Sequence, residues 1–156
     1  MNMFGHETTS EMVLRYRDPP QDEALAARNR TILMEAVDQL AAGDLDAFWS
    51  IFDPDVVFYE ASCLPYGGAH EGLEATKQAF IRMGQMYSKM RAELEGVLAT
   101  RDIAILYQTI SFQVRDTGKT AALPVAEMFR FREGKVVEWR ALYFDSSLVA
   151  EALSVG

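Results

Sequence analysis

Residues 123–145 read LPVAEMFRFREGKVVEWRALYFD. Apolar and polar residues alternate in two runs, joined at Arg132-Glu133-Gly134-Lys135. A period of two marks a strand with one buried face, and a glycine between two such runs marks a hairpin. A two-residue loop at Glu133-Gly134 sets Phe129 opposite Glu138 and Glu127 opposite Arg140. An odd-length connection, with Gly134 as a left-handed bulge residue, removes the first conflict. Val125, Phe129, Phe131, Val137, Trp139, Ala141 and Tyr143 then share one face. Met128, Arg130, Arg132, Glu138 and Arg140 share the other. Glu127 alone breaks the apolar face. A carboxyl group among Val, Phe, Trp and Tyr needs a partner, a raised pKa or a chemical role. Two readings follow: a functional acid on an inner wall, or a structural ion pair with Arg140.

The same period extends upstream to Arg91. Strands are expected over 92–100, 103–114, 120–132 and 136–144, with turns at Arg101-Asp102 and Asp116-Thr117-Gly118-Lys119. Gln108 falls on the inward alternation of Ala104, Leu106, Ile110 and Phe112. It is either a polar group on an inner wall or the partner of a neighbouring backbone group.

Before Arg91 the period is mostly helical. Leu25, Ile32, Leu33, Ala36, Val37 and Leu40 predict a helix over 22–42, ended by Gly43. Asp44 caps a second helix carrying Leu45, Phe48, Trp49 and Phe52, and Asp53-Pro54-Asp55 stops it. The β-branched and aromatic run Val56-Val57-Phe58-Tyr59-Glu60 predicts a strand. Residues 61–72 read as a loop, 73–90 as a helix with a Met-rich stripe, and 146–153 as a short helix capped by Asp145. Residues 1–21 read as an N-terminal extension to a domain over 22–156. It is either a frayed terminus or an arm whose Met3, Phe4, Met12, Val13 and Leu14 fold over the domain or a partner subunit. Two helices, a strand, a helix and four antiparallel strands make an α+β arrangement: a curved antiparallel sheet wrapped around about three helices, with a cone-like cavity.

A length of 156 residues fits one domain with a sizeable core. The formal net charge of −8 argues against a nucleic-acid surface, and no basic run suits a membrane surface. Cys63 is the only cysteine, and His6 and His70 are the only histidines. No intrachain disulfide is possible, and no metal site is expected. The sequence shows no signal peptide and no membrane span, so a cytoplasmic location is the expectation.

Several blocks resemble known proteins. Ala42-Gly43-Asp44-Leu45-Asp46, Phe52 and Tyr59-Glu60 are similar to the start of bacterial ketosteroid isomerase. So are Glu127-Met128-Phe129-Arg130-Phe131, Gly134-Lys135-Val136-Val137 and Arg140-Ala141-Leu142. Leu64-Pro65-Tyr66-Gly67-Gly68 leading to Gly72 resembles the SnoaL-like polyketide cyclases. Both groups belong to the nuclear-transport-factor-2-like superfamily, and the resemblance covers about residues 29–152. It implies a cone-shaped, cystatin-like α+β barrel, a homodimer formed through the sheet, and no cofactor. It places the isomerase base on Glu60 and the isomerase acid on Glu127, each one methylene longer than the family aspartate. The family tyrosine falls on Ala36, which leaves Tyr59, Tyr66 and Tyr143 to supply a phenol from another direction.

The expected function is binding of a hydrophobic small molecule. Isomerase or cyclase chemistry on a carbonyl compound would use Glu60 as general base and a protonated Glu127 as acid. Trp139, Tyr143, Tyr59, Phe58 and Phe112 would form the walls, with Gln108 among them. His70 is either a proton shuttle at the mouth or a surface side chain. The alternative is a non-catalytic binding or dimerisation module of the same fold.

Overall fold

The computed structural model describes residues 22–154. The reading of residues 1–21 as an extension therefore lies outside the described residues. Helix α1 (Glu23–Ala41) starts where the Asp22 carboxylate accepts from Leu25 N–H at 3.0 Å. It ends at Gly43, whose φ of +82° suits a residue without Cβ. There Asp44 N–H reaches back to the Gln39 carbonyl and Gly43 N–H to that of Leu40. Asp44 caps α2 (Leu45–Trp49), which stops short of Phe52. Phe52 instead opens strand β1 (Phe52–Glu60), longer than the expected one. Asp53-Pro54-Asp55 sits inside β1, where the pairing with the neighbouring strand breaks register. Proline has no N–H to give a ladder, so an irregular stretch is where a strand tolerates it.

Two further elements depart from the expectation. The loop over 61–72 contains an edge strand, β2 (Gly68–Glu71), paired antiparallel with β1. Four residues, Gly-Ala-His-Glu, carry no apolar period; the free edge of β1 makes the strand. Helix α3 (Leu73–Met86) ends four residues earlier than expected, and Tyr87 opens β3 (Tyr87–Ala99). Met90 therefore sits on a strand, pairing with Phe112 of β4 (Ile103–Val114). Strands β5 (Thr120–Arg132) and β6 (Lys135–Tyr143) follow, then α4 (Ser146–Leu153), which Asp145 caps through Leu148 N–H at 3.1 Å.

The strands form one curved, unclosed sheet in the order β2-β1-β6-β5-β4-β3. It is not wholly antiparallel: β1 and β6 run parallel. They lie far apart in the chain, so no tight turn dictates their direction.

The β5–β6 hairpin sets Phe129 opposite Trp139, Glu127 opposite Ala141 and Val125 opposite Tyr143. These are the faces that burial demanded, but the device differs. Glu133 and Gly134 both have positive φ, at +52° and +79°, as a two-residue type I′ loop requires. The extra residue is taken up inside the ladder, where Arg130 faces Glu138 but Phe131 faces Val136. Val136, not Val137, is thus the buried valine.

Two apolar clusters line the concave side. One gathers Leu33, Phe48, Trp49, Phe58, Phe129 and Trp139 beneath α1 and α2. The other gathers Tyr66, Tyr87, Phe112, Val125 and Val149 beneath α4. No described helix is long and apolar enough to cross a membrane. On the convex side, Tyr107, Ala126 and Leu142 are register partners across β4, β5 and β6. Tyr107, Leu142, Leu98 and Phe144 are 43, 52, 69 and 83% exposed. This is a large apolar surface to leave in water.

Candidate functional site

A cavity of about 530 Å³ lies against both clusters, within the range of about 300–1,000 Å³ usual for small-molecule sites. Leu40, Met83, Met90 and Ala92 line it from α1, α3 and β3, where exposure is greatest, so this side is its mouth. The inner wall is aromatic and aliphatic, interrupted by two carboxyl groups.

Glu127 points inward because it shares parity with Val125 and Phe129 on β5. The residues that meet it come from the strands on either side. Gln108 Nε2–H of β4 donates to Oε1, and Trp139 Nε1–H of β6 donates to Oε2, both at 2.7 Å. Both carboxyl oxygens are satisfied without a cation. The surface that Glu127 retains faces the cavity. Burial raises its pKa, and the two hydrogen bonds oppose the rise. The alternative ion pair with Arg140 does not form. Arg140 faces Met128 across the ladder, points to the convex side, pairs with Glu138 and lies 4.0 Å from the Tyr59 ring centroid.

Glu60 ends β1 and is buried. Tyr143 Oη–H donates to its Oε1 at 3.2 Å, whereas Oε2 is buried without a hydrogen-bond partner. Its pKa is pushed up to about 8 by burial first and by the negative charge of Glu127 second. The bonds from Tyr143 and from the Ala61 backbone only partly offset this. The two carboxyl groups are coupled, so the first proton to leave is a property of the pair. Beside them, the Tyr66 and Tyr87 hydroxyls hydrogen-bond to each other at 2.7 Å. Burial raises the pKa of Tyr66, Tyr87 and Tyr143, so all three remain phenols.

Glu60, Gln108, Phe112, Glu127, Trp139 and Tyr143 all line the cavity. Three residues expected at the site do not. Phe58 is core, stacked on Trp139 with centroids 4.1 Å apart. Tyr59, next along the strand, faces the convex side under Arg140, because neighbours on a strand point opposite ways. His70 lies behind Phe58 on β2, and its Nε2 bonds the Tyr66 carbonyl at 2.9 Å, which steadies the loop that carries Tyr66. Ala36 is packed in the core, so the phenols reach the cavity from the opposite end. Tyr87 escaped sequence reasoning because it extends the apolar stripe of α3. Only its pairing with Val114 turns it inward.

A curved sheet closed over by helices is the fold of solved structures described as nuclear-transport-factor-2-like or cystatin-like. The chain belongs to the SnoaL-like domain family, whose model matches residues 33–139. Several solved structures share the fold. A protein of unknown function from Burkholderia pseudomallei K96243 is 18% identical, with a TM-score of 0.75 over 82% of this chain and 98% of its own. A candidate SnoaL-like polyketide cyclase from Jannaschia sp. CCS1 is also 18% identical, with a TM-score of 0.71 over 91% and 99%. TerC, crystallised with polyporic acid, is 18% identical, with a TM-score of 0.71 over 81% and 98%. No curated protein matches the sequence.

Proposed function

We propose that the cavity binds a hydrophobic carbonyl compound and that Glu127 and Glu60 act on it as a general base and a general acid. This makes the protein a cofactor-independent isomerase or cyclase. The observation that carries the reading is the unequal hydrogen bonding of the two carboxyl groups. Glu127 holds side-chain donors on both oxygens, which favours its anion; Glu60, with Tyr143 and the Ala61 backbone beside it, keeps Oε2 buried and without a partner, which favours its acid. This reverses the roles expected from the sequence alone. The Glu127 carboxylate removes a proton from the carbon beside the carbonyl, and the developing enolate oxygen takes one from the acid end. Hydroxyl rotation lets Glu60 donate to Tyr143 and Tyr143 donate to the ligand, so Tyr143 takes the place of the phenol missing at Ala36. That TerC shares the fold and was crystallised with a small molecule supports the binding half of the reading.

The test is exchange of the α-protons of a bicyclic ketone such as 2-tetralone in D₂O, followed by NMR. The parent is expected to accelerate exchange. Glu127→Gln should lower the rate by about 10²–10⁴-fold, the range for loss of a general base, while ketone affinity changes little. Exchange by both Glu127→Gln and Glu60→Gln at the parent rate would remove the pair from the chemistry. Ketone binding without any exchange in the parent would favour a binding module, a reading suited to the doubly satisfied Glu127.

The convex apolar face supports a second element of the reading, a homodimer formed through the sheet. The row Tyr107, Ala126, Leu142 with Leu98 and Phe144 provides its contact surface. Sedimentation at tens of micromolar should give a dimer, and the double variant Tyr107→Glu/Leu142→Glu a monomer. A parent that sediments as a monomer rejects the interface.

A further inference from the structure

We infer that the cavity discriminates by charge, admitting uncharged apolar ligands and turning away anions of the same size and shape. The inference rests on the reading of the cavity as a ligand site and adds a selection rule to it. Among the described residues, the polar groups on its wall are acids, an amide, phenols and one indole N–H: Glu60, Glu127, Gln108, Tyr66, Tyr87, Tyr143 and Trp139. No Lys, Arg or His among the described residues lines it. Basic side chains on elements of the wall are committed elsewhere: Arg91, between Met90 and Ala92, pairs with Glu93 at 3.0 Å. Arg140 faces the convex side with Glu138. His70 is held by the Tyr66 carbonyl behind Phe58. Arg115 donates to the Gln85 and Tyr87 carbonyls at the surface. The β-strand backbone of the wall is consumed by the ladder, so it offers no cluster of free N–H groups.

An anion entering this space loses its water and finds no countercharge. Both side-chain donors nearest Glu127 are already turned toward that carboxylate. A carboxylate, sulfonate or phosphate therefore finds no basic partner, and where Glu127 holds its anion, as the proposed base role requires, it also meets like charge. A ketone, phenol or alcohol needs one hydrogen bond and no counterion. Glu60 and Glu127 are thus specificity-determining residues as well as candidates for chemistry, and the ligand class narrows to neutral molecules.

The test uses two dyes with one skeleton, titrated by fluorescence at pH 7.5. N-phenyl-1-naphthylamine is neutral; 8-anilinonaphthalene-1-sulfonate adds a single sulfonate. The neutral dye is expected to bind roughly 30-fold or more tightly, because a buried charge without a partner is strongly disfavoured. Any anionic dye on the outer sheet should not be displaced by the neutral one. In Glu60→Gln/Glu127→Gln the ratio between the dyes should narrow by about tenfold, as the like charge is gone while the wall stays apolar. If the anionic dye binds the parent as tightly as the neutral dye and competes with it, the charge rule fails while the ligand site stands. If neither dye binds, the ligand site itself fails and the charge rule goes with it.

Discussion

Glu60→Gln is expected to remove a pH dependence of stability on the order of 5 kcal/mol, at about 1.4 kcal/mol per pH unit of displacement. In the native protein Glu60 holds its proton up to about pH 8, against an ordinary value of 4.5. The unfolded chain binds no proton there above about 4.5, so the native state binds more protons across the window. Stability contributed by this group is complete below pH 4.5, declines as pH rises toward 8 and levels off beyond it. Glutamine has nearly the same shape and cannot ionise, so the decline should be largely absent from the variant. Glu127 remains in both proteins and contributes a slope of the same sign. Urea denaturation of parent and variant from pH 4.5 to 8.5 measures the difference. Parallel curves would mean that Glu60 is ionised in the folded protein, contrary to the proposed acid role.

Trp139→Ala should cost about 3–5 kcal/mol through lost packing, the range for a buried aromatic cut to alanine. Trp139 stacks on Phe58 and Phe129 and touches Phe48, Phe52 and Phe80, so its loss opens the middle of the larger cluster. Its Nε1–H also holds Glu127, and a hydrogen bond to a charged group adds about 1.5–3 kcal/mol. Domains of this kind have about 5–15 kcal/mol in all, so Trp139→Ala should be close to unfolded at room temperature. Trp139→Phe keeps most of the packing and deletes the donor, and should cost only the second amount. Denaturant midpoints separate the two. Equal losses in both variants would place the whole effect in the hydrogen bond. No loss in Trp139→Phe would leave Glu127 independent of its tryptophan partner.

The hairpin shows how far a pattern can be read. Burial of Phe129 and Trp139 requires them to face each other, so the parity of Glu127 followed from composition alone. Where the extra residue goes did not, because Val136 and Val137 are the same side chain and either can serve as the inward one. Gln108 was legible as an inward polar group for the same reason as Glu127. That the two bond each other was not, since contact between neighbouring strands along a diagonal depends on twist. Aromatic character alone puts both Phe58 and Tyr59 on the wall, although adjacent strand positions cannot share a face. Only the parity of the paired strand decides which one turns inward.

From its order of residues alone this chain declares an α+β class, the four-strand meander, the helix caps and an acid on an apolar face. Each of these follows from local periodicity or from the cost of burying charge. The parallel pairing of β1 with β6, the edge strand β2, the inward turn of Tyr87 and the meeting of Glu60 with Tyr143 were decided by the tertiary structure. They join groups distant in sequence, and their partners are chosen by how the sheet curves around the helices rather than by any neighbouring residue.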